Sequence, residues 1–595
     1  MNNFNDFNNP QVANLPRHLR QFIVDQHYEK YTPVDQAVWR YVMRQNYSYL
    51  RQVAYYPYIK GLQRAGLSIE RIPDLQTMND NLSKLGWGAV TVDGFIPPAA
   101  FMEYQAYRVL VIAADIRQLN HIEYTPAPDI IHESAGHAPI IADRDYNNYL
   151  SYIGSIGAKA MFSAADFELY EAIRHLSILK EAVNVDEKEI DLAEKKLQEI
   201  SDQLGEPSEM ALLSRLHWWT VEYGLIGTLE DPKIYGAGLL SSIGESASFK
   251  DKSVAKLWYT IDTVNYAYDI TKQQPQLFVT PTFQNLIDVL EQFADTMAFR
   301  RGGVESIDKA ISCKNPATAV YSSGLQVSGV FTEKQADTEG ELSYLKTSGA
   351  SALAVAGKQL ESHGKSYHAD GFSSPVGKLK DVEKPLESLS LQELADLGIS
   401  QTQQASLTFK SGITVNGEVK EILRHDEKNI LITFDKCTVK DSDGKLLFQP
   451  EWGTFDMAIG EKIVSVFNGA ADKDAFEEIT PMSTKPTAKV MYDEPTQKLH
   501  EHYAKVRMIR EGELEADELP VIFSFLKKNY PGDWLAALEI LEITHHKQVF
   551  PALEVEIRAY LSNKMEQDPA HQKLIKDGLH VIENPVTQLI TEEEQ

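Results

Sequence analysis

The chain has 595 residues, 43 % of them apolar, and a formal net charge of −27. This length predicts two to four domains. The acidic residues are spread along the chain and leave no basic stripe to neutralise phosphates, so we expect neither a nucleic-acid partner nor binding to an anionic membrane.

The two cysteines, Cys313 and Cys437, lie far apart and neither belongs to a C-x-x-C pair. This excludes a disulfide framework and a zinc ribbon, and it favours a reducing compartment. The first residues lack the basic and apolar regions of a signal peptide, and no apolar run approaches the ~20 residues that cross a bilayer. We therefore predict a cytoplasmic protein.

The N-terminal part of the chain predicts mainly helices. Residues 1–27 predict a flexible start, and "YTPVDQAVWRYVMRQ" then begins a run of apolar residues at helical spacing, with Pro33 at an early helix position. "GWGAVTVDGFIPP" predicts a turn or loop, and "AAFMEYQAYRVLVIAADIRQL" predicts one long apolar helix.

A charged helix pair is predicted near 175–210, where Glu, Lys and Leu dominate. "SEMALLSRLHWWTVEYGLIG" predicts another helix that begins after Ser208. "YGAGLLSSIGES" predicts a loop of small residues, and an extended piece and a helix follow up to about 303.

Beyond about 320 the composition changes. Apolar and polar residues alternate around Asn-Gly and Asp-Gly pairs between 405 and 468, which is typical of strands and hairpins, and helical patterns return from about 494. The predicted fold is a mainly α domain over 28–310, with the helical insertion at about 175–210, then a β-rich domain over 320–480 and a helical C-terminal region over 490–595.

The segment "PDIIHESAGHAP" holds two histidines and a glutamate. A zinc hydrolase with an H-E-x-x-H motif places its histidines four residues apart, whereas His132 and His137 are five apart. On a regular helix their side chains point about 140° apart. They converge only where the helix begins or distorts between them, which Gly136 permits. Two unrelated histidines remain the alternative.

Glu222 lies among aromatic and aliphatic residues in "HWWTVEYGLIG", so we expect its carboxylate to be buried and to need a cation. Arg215 is the nearest basic residue upstream, and an ordinary salt bridge is one solution. A metal ion shared with His132 and His137 is another. Two imidazoles and one carboxylate form the facial triad of non-haem Fe(II) oxygenases, with three open positions.

Other clusters of titratable residues give weaker evidence for a functional site. Glu168, Glu171 and His175 fall at helical spacings without a second copy of a di-iron motif, so they predict a solvated helix face. His545 and His546 have no partner at a ligand spacing.

Several motifs together resemble the pterin-dependent aromatic amino acid hydroxylases. "YTPAPDIIHESAGHAP", "HWWTVEYGL" and "YGAGLLSSIGE" are similar to three core motifs of that family in the family's order, and "GWGAVTVDGFIPPAAF" and "YDITKQQPQLFVTPTF" match its flanking motifs. The resemblance covers roughly residues 28–303 and leaves 320–595 without a match.

The resemblance implies roles for individual residues, by position in each motif. The implied iron ligands are His132, His137 and Glu222; the implied pterin contacts are Gly94, Phe95, Ile96, Phe101 and Glu133; and the implied substrate contacts are Arg117, Thr125, Pro128, Trp218 and Ser241. Glu133 is implied in catalysis beside the pterin. His217 replaces a tyrosine that the family commonly has close to the iron, so we expect it to affect pterin or oxygen handling, or to offer an unwanted metal ligand.

The resemblance also implies an activity. Family members use Fe(II), a tetrahydropterin and O₂ to hydroxylate the ring of an aromatic amino acid. Animal regulatory and tetramerisation segments are not recognisable, which favours the bacterial type of enzyme and the conversion of L-phenylalanine to L-tyrosine. The alternatives are tyrosine or tryptophan hydroxylation, or a catalytically silent amino acid or pterin binder that acts through its C-terminal domains. Homo-oligomer formation through the C-terminal region is a further expectation.

Overall fold

The computed structural model describes residues 8–55, 58–92, 96–123, 129–181, 186–269, 273–477 and 492–584. Helices dominate up to Cys313, strands dominate from Ala317 to Asn468, and helices return from Glu494. A helical N-terminal part, a β-rich part and a helical C-terminal part are therefore as predicted. None of the helices in these ranges combines the length and apolarity that a bilayer crossing requires.

The helices are given in chain order. They are α1 (Pro10–Ala13), α2 (Arg17–Arg20), α3 (Pro33–Val53), α4 (Tyr58–Arg64), α5 (Leu75–Leu82), α6 (Pro98–Ala106), α7 (Arg144–Gly157), α8 (Ala164–Glu181), α9 (Glu187–Asp202), α10 (Glu209–His217), α11 (Ala237–Ser241), α12 (Ile243–Ser248), α13 (Phe283–Ala294), α14 (Ala298–Arg301), α15 (Gly303–Cys313), α16 (Leu391–Asp396), α17 (Lys473–Phe476), α18 (Glu494–Glu511), α19 (Leu519–Asn529), α20 (Leu535–Lys547), α21 (Pro551–Gln567) and α22 (Pro569–Glu583).

The strands form four sheets. They are β1 (Gly88–Val92), β2 (Val109–Ala113), β3 (Leu225–Gly227), β4 (Pro232–Ile234), β5 (Ala255–Trp258), β6 (Gln276–Thr280), β7 (Ala317–Tyr321), β8 (Leu325–Ala336), β9 (Leu342–Val355), β10 (Lys358–Gln359), β11 (Ser373–Pro375), β12 (Gln404–Thr408), β13 (Thr414–His425), β14 (Lys428–Lys440), β15 (Leu446–Phe448), β16 (Phe455–Ala458) and β17 (Ile463–Asn468).

Strands β1 and β2 correct two predictions. They pair in parallel with Gly88 opposite Val109, and α6 is the crossover between them. The loop predicted at "GWGAVTV" and the helix predicted through "VLVIA" are therefore wrong. The helix stops because Arg108 adopts a φ of 58°, and the β-branched run after it favours an extended chain.

Residues 8–23 of the N-terminal segment pack against the β1–β2 core. Val12 and Leu19 are fully buried against β1, and the Asn9 side chain donates a hydrogen bond to the Trp87 carbonyl oxygen (2.9 Å). The prediction of a flexible start is therefore wrong for residues 8–23.

An ion-pair cluster joins this segment to the β-rich part. His18 Nε2 lies 3.0 Å from Glu103 Oε1 on α6, and His18 Nδ1 lies 2.8 Å from Asp474 Oδ1 on α17. Lys473 Nζ also contacts Glu103 (2.7 Å). The C-terminal end of the β-rich part is thus attached to the helix that carries Phe101.

The charged helix pair forms as α8 and α9. Glu168, Glu171 and His175 are exposed on α8, which confirms the prediction of a solvated face. Both cysteines are free thiols, and both are buried.

Two antiparallel sheets make up the β-rich part. One has the order β10-β9-β8-β7-β17 with β11 on β9, and the other has the order β12-β13-β14-β15 with β16 on β14. The predicted Asp-Gly turn is present after β14, where Gly444 has a φ of 83°. The pair Asn416–Gly417 instead lies inside β13 at a register shift, so the turn predicted there is wrong. Glycine fits at 417 because a Cβ would press on Phe434 and Cys437 of the neighbouring strand.

The C-terminal helices α18–α22 share one apolar core with α3 and the other N-terminal helices. The Arg40 guanidinium on α3 forms a buried ion pair with Glu539 on α20, with Nε 3.0 Å from Oε2. The Tyr41 hydroxyl donates to the Leu574 carbonyl oxygen on α22 (2.7 Å). The helical tail therefore forms part of the N-terminal core.

Candidate metal centre

Residues Ile131–His137 form a π-helix, here called the first π segment. In a π-helix the hydrogen bonds join residues i and i+5, so residues five apart lie on one side. This brings His132 and His137 together, with ring centroids 5.1 Å apart and ring planes at 86°. The expected distortion is present, but it involves the whole segment and not Gly136 alone.

Gly136 was expected to permit a distortion of the helix, but in the structure it permits close packing. Its φ is not positive, and a Cβ at this position would lie 2.7 Å from the Ala237 carbonyl oxygen at the start of α11. Glycine is needed here for close packing of the first π segment on α11.

Glu222 ends a second π segment, Trp218–Glu222, which continues α10. Its Oε2 lies 3.2 Å from His132 Nε2 and its Oε1 lies 3.4 Å from His137 Nε2. Arg215, the alternative partner, donates instead to the Val264 carbonyl oxygen (3.1 Å). Within the described ranges, the three residues form a group whose potential ligand atoms all lie within 4.8 Å of one another.

Ser241 determines which nitrogen of His132 carries the proton. The serine hydroxyl donates to the Ala237 carbonyl oxygen (2.8 Å), so it accepts a hydrogen bond from His132 Nδ1 (2.9 Å). The Nε2 lone pair then points to the group formed with Glu222. Ser241 lies in α11, so the loop predicted for "YGAGLLSSIGES" is wrong; this segment forms α11 and α12.

The donor set fits a metal ion. The His137 ring is 1 % exposed, and neither of its nitrogens has a hydrogen-bond partner in the described part of the chain. Such buried polar atoms are costly unless they are satisfied, and a bound ion would satisfy Nε2. Burial alone would raise the pKa of Glu222, but His137 and His132 bring that pKa well below its usual range. The carboxylate is therefore ionised, as a ligand must be.

Glu133 is buried beside the two histidines. Its Oε2 lies 3.8 Å from His137 Nε2 and has no hydrogen-bond partner among the described residues. Burial raises the pKa of Glu133 to about 8, and the negative charge of Glu222 adds to this. Its carboxyl group is therefore largely protonated at neutral pH.

His217 is also buried, next to the helix that carries Phe101. Its ring meets the Phe101 ring edge-on with centroids 5.8 Å apart, and its Nε2 lies 3.3 Å from the Gln105 side-chain nitrogen. Burial lowers the pKa of His217 to about 4, so the ring is neutral. It does not belong to the group that His132, His137 and Glu222 form.

Arg117 has a partner that the sequence analysis missed. Its guanidinium grips Asp129 with two contacts, Nε to Oδ2 (2.8 Å) and Nη2 to Oδ1 (2.9 Å), and both side chains are buried. The same Asp129 accepts a hydrogen bond from the His132 backbone N–H (3.0 Å). An aspartate three residues before the first histidine was the available signal, since that spacing suits an N-terminal cap.

The remaining predicted residues fall into two groups. Trp218 stacks between Tyr223 and Tyr268, with ring centroids 4.7 Å and 4.4 Å away, and Ile96 and Phe101 are partly buried beside the β1–β2 core. Four residues lie outside the described ranges: Gly94, Phe95, Thr125 and Pro128.

Two imidazoles, one buried and one partly exposed, and one buried carboxylate are brought together by two π segments, and this donor set could hold a metal ion with open positions, as in the non-haem iron oxygenase class. The known proteins that this chain is similar to agree with this class. A family model described as biopterin-dependent aromatic amino acid hydroxylase matches residues 24–169 and 190–303.

Relatives and solved structures that are named phenylalanine hydroxylases are also similar to this chain. The phenylalanine-4-hydroxylase of Chromobacterium violaceum is 26 % identical over 329 residues, which are 52 % of this chain and 96 % of the relative. The phenylalanine-4-hydroxylase of Mesorhizobium japonicum is 28 % identical over 295 residues, which are 49 % of this chain and 90 % of the relative. A crystal structure of the Chromobacterium violaceum enzyme with bound iron(III) and 7,8-dihydrobiopterin is 25 % identical, covers 49 % of this chain and 94 % of that one, and superposes with a TM-score of 0.36.

The N-terminal half of this chain is therefore similar to the biopterin-dependent aromatic amino acid hydroxylase family, which is the family predicted from the motifs. The family model leaves out residues 170–189, which run from within α8 to the start of α9, and everything after 303. The relatives likewise cover only about half of the chain.

Proposed function

We propose that the chain is an Fe(II)- and tetrahydropterin-dependent monooxygenase that uses O₂ to convert L-phenylalanine to L-tyrosine. The observation that carries the proposal is the convergence of His132, His137 and Glu222 inside the segment that matches the family model. Fe(II) and the pterin together supply the activation of O₂ that ring hydroxylation needs.

Three side chains would hold the iron. His132 and His137 offer Nε2 atoms, and Glu222 offers a carboxylate that both imidazoles already contact. Ser241 would keep the His132 lone pair directed at the ion, in the way that outer hydrogen bonds orient metal-bound histidines.

Arg117 would bind the carboxylate of the amino acid. Asp129 occupies two of its guanidinium nitrogens, whereas Nη1 makes only long contacts to the Ile122 and Ser241 carbonyl oxygens, 3.5 Å and 3.4 Å away. Asp129 would thus orient the guanidinium while Nη1 stays available for substrate. Thr125, Pro128 and Trp218 remain predicted substrate contacts.

The pterin would lie between the first π segment and the start of α6. Glu133 presents a buried carboxyl oxygen without a hydrogen-bond partner in the described ranges, and Ile96 and Phe101 offer apolar surface. Gly94 and Phe95 remain predicted contacts. His217 touches Phe101, so it would influence the pterin through that ring and not as a ligand of the metal.

The names of the relatives support phenylalanine as the substrate, since the aligned bacterial proteins are called phenylalanine-4-hydroxylases. Tyrosine and tryptophan are the alternatives. We also propose a cytoplasmic location and the limits 28–310 for the catalytic domain, 320–480 for the β-rich domain and 490–595 for the helical C-terminal region, which packs on the catalytic domain. Homo-oligomer formation through the C-terminal region stays a prediction.

The test uses the purified full chain, loaded with Fe(II) and supplied with tetrahydrobiopterin and O₂. Each aromatic amino acid is offered separately, and hydroxylated products are identified by mass spectrometry. Tyrosine formed from phenylalanine at the highest kcat/KM supports the proposal. Hydroxylation of another amino acid would change the substrate, and iron-loaded protein that yields no product from any of the three would contradict the enzyme function in favour of a silent binder.

The ligand set is tested separately with Glu222→Ala. We expect this variant to lose both iron retention and turnover, because two imidazoles alone hold Fe(II) weakly. The control is Glu168→Ala, which removes an exposed carboxylate from α8. Unchanged iron content in Glu222→Ala would remove this residue from the ligand set.

A further inference from the structure

A second group of potential metal ligands lies in the β-rich part. His363 and His368 belong to the connection between β10 and β11, and Asp456 belongs to β16 of the other sheet. Their potential ligand atoms all lie within 4.8 Å of one another. A connection in one sheet and a strand of the other sheet thus bring three potential ligands to one point.

The separation of the two imidazoles suits a tetrahedral ion. His363 Nδ1 and His368 Nε2 are 3.2 Å apart. Two nitrogens that each lie 2.0–2.1 Å from a tetrahedral Zn²⁺ are about 3.3–3.4 Å apart. A hydrogen bond between the rings also fits this distance, and the Thr433 and Tyr367 hydroxyls donate to the third residue, Asp456. A metal ion would in addition account for the convergence of all three residues.

That third residue is a buried carboxylate. Asp456 is 6 % exposed and accepts a hydrogen bond from the Thr433 hydroxyl at Oδ1 (2.7 Å). Lys420 pairs with Asp435 (3.6 Å) instead of with Asp456. A buried carboxylate is costly without a cation, and a metal ion would provide one.

The strand register adds negative charge on the same face. Thr433 of β14 lies opposite Asp456 on one side and opposite Glu421 of β13 on the other. Asp435 is two residues beyond Thr433 along β14, so its side chain points to the same face. Glu421, Asp435 and Asp456 therefore lie on one face of this sheet, and Lys420 offsets the charge of Asp435.

The site has a packed side and an open side. His368 is buried and meets the Phe372 ring edge-on, with centroids 5.5 Å apart, so its orientation is held by packing. Tyr367 next to it is 50 % exposed, and His363 is partly exposed. A fourth ligand position would thus face water.

We propose that His363, His368 and Asp456 form a second metal site, separate from the hydroxylase centre, that binds Zn²⁺ or a chemically similar divalent ion. Two imidazoles and one carboxylate are a normal ligand set for zinc with an open fourth position. The ion would tie the β10–β11 connection to β16 and so join the two sheets.

The experiment uses the full chain without a histidine tag, in a His132→Ala/His137→Ala background that removes the first site. After equilibration with Zn²⁺ and dialysis, we expect about one equivalent of zinc per chain by elemental analysis. His363→Ala and, separately, Asp456→Asn should each lose most of it. The first replaces a partly exposed side chain and the second is isosteric, so both are expected to fold, which circular dichroism verifies.

The matched control is His425→Ala, an exposed histidine of the same β-rich part that pairs with Asp426. It should retain the zinc. Zn²⁺ should also raise the Tm of the background protein and of this control, but not of the two site variants, because binding stabilises only the state that contains the site. Background protein that binds no zinc, or equal zinc content in all four proteins, would overturn the proposal. Neither result bears on hydroxylation, since no step of it depends on this site.

Discussion

The replacement Ser241→Ala tests how the iron site is built. The Ser241 hydroxyl accepts a hydrogen bond from His132 Nδ1–H, because it donates its own O–H to the Ala237 carbonyl oxygen. Without the hydroxyl, His132 is free to carry its proton on Nε2, which is the atom that faces Glu222. Iron then binds only the fraction of chains with the correct tautomer and ring orientation.

The size of the effect follows from this single contact. Loss of a hydrogen bond to a metal-bound histidine typically weakens metal affinity by about 10–100-fold. This corresponds to about 1.4–2.7 kcal/mol. The Arg117 contact to residue 241 uses the backbone carbonyl oxygen, so it remains in the variant. The predicted loss therefore concerns iron and not the guanidinium.

Iron affinity is measured by competition with a chelator under anaerobic conditions. The control is Ser242→Ala, which removes the neighbouring hydroxyl that caps α12 through the Glu245 backbone N–H (3.2 Å). Loss of this cap should lower the free energy of unfolding by about 1 kcal/mol and leave the iron affinity unchanged. Equal iron affinity in the two variants would refute the role of Ser241.

Three further predictions concern the substrate end, the C-terminal helices and the N-terminal segment. Arg117→Lys should raise the KM for the amino acid at least about tenfold with unchanged iron content, because lysine cannot contact Asp129 and a carboxylate as a planar fork. Glu539→Gln should lower the free energy of unfolding, measured in urea, by about 3–5 kcal/mol, since Arg40 would remain buried without its counter-charge. His18→Gln should remove a pH dependence of Tm above about pH 6.5.

The sign of the third effect follows from the pKa of His18. Burial alone would lower this pKa, but the two carboxylates in contact with the ring raise it above 6.5. The stabilisation is therefore complete below about pH 6.5 and is lost as the pH rises through the folded-state value. The control is His27→Gln, an exposed histidine of the same segment. A Tm that falls equally with pH in the wild type and in His18→Gln would contradict this assignment. Wild-type stability in Glu539→Gln would contradict the prediction for the Arg40–Glu539 pair. An unchanged KM in Arg117→Lys would contradict the prediction for Arg117.

Much of the candidate site was predictable because its chemistry depends on residue types in a fixed order. His132, Glu133, His137 and Glu222 already predicted an open two-histidine, one-carboxylate centre, and the flanking motifs indicated the family. The convergence itself was not predictable. Regular helical geometry places residues 132 and 137 about 140° apart, and the π-helical hydrogen bonding that unites them depends on packing against α11.

Tertiary contacts also decided the extent of the core and the location of two strands. "VLVIA" forms β2 because a parallel partner, β1, lies beside it, and the sequence alone predicted a helix there. Asp129 matters because its carboxylate holds the Arg117 guanidinium, twelve positions away in the sequence. The C-terminal helices pack on α3, and the Arg40–Glu539 ion pair links the two although its residues are far apart in the sequence.

The sequence by itself determined the residue types of the candidate site, the family resemblance of the N-terminal half and the change from helices to strands near residue 320, because these depend on local composition and motif order. Only the tertiary structure decided which distant side chains meet. It brings Glu222 to His132 and His137, Glu539 to Arg40, and Asp456 to His363 and His368. Buried charges at such separations find partners through the packing of whole elements, and no local pattern specifies that packing.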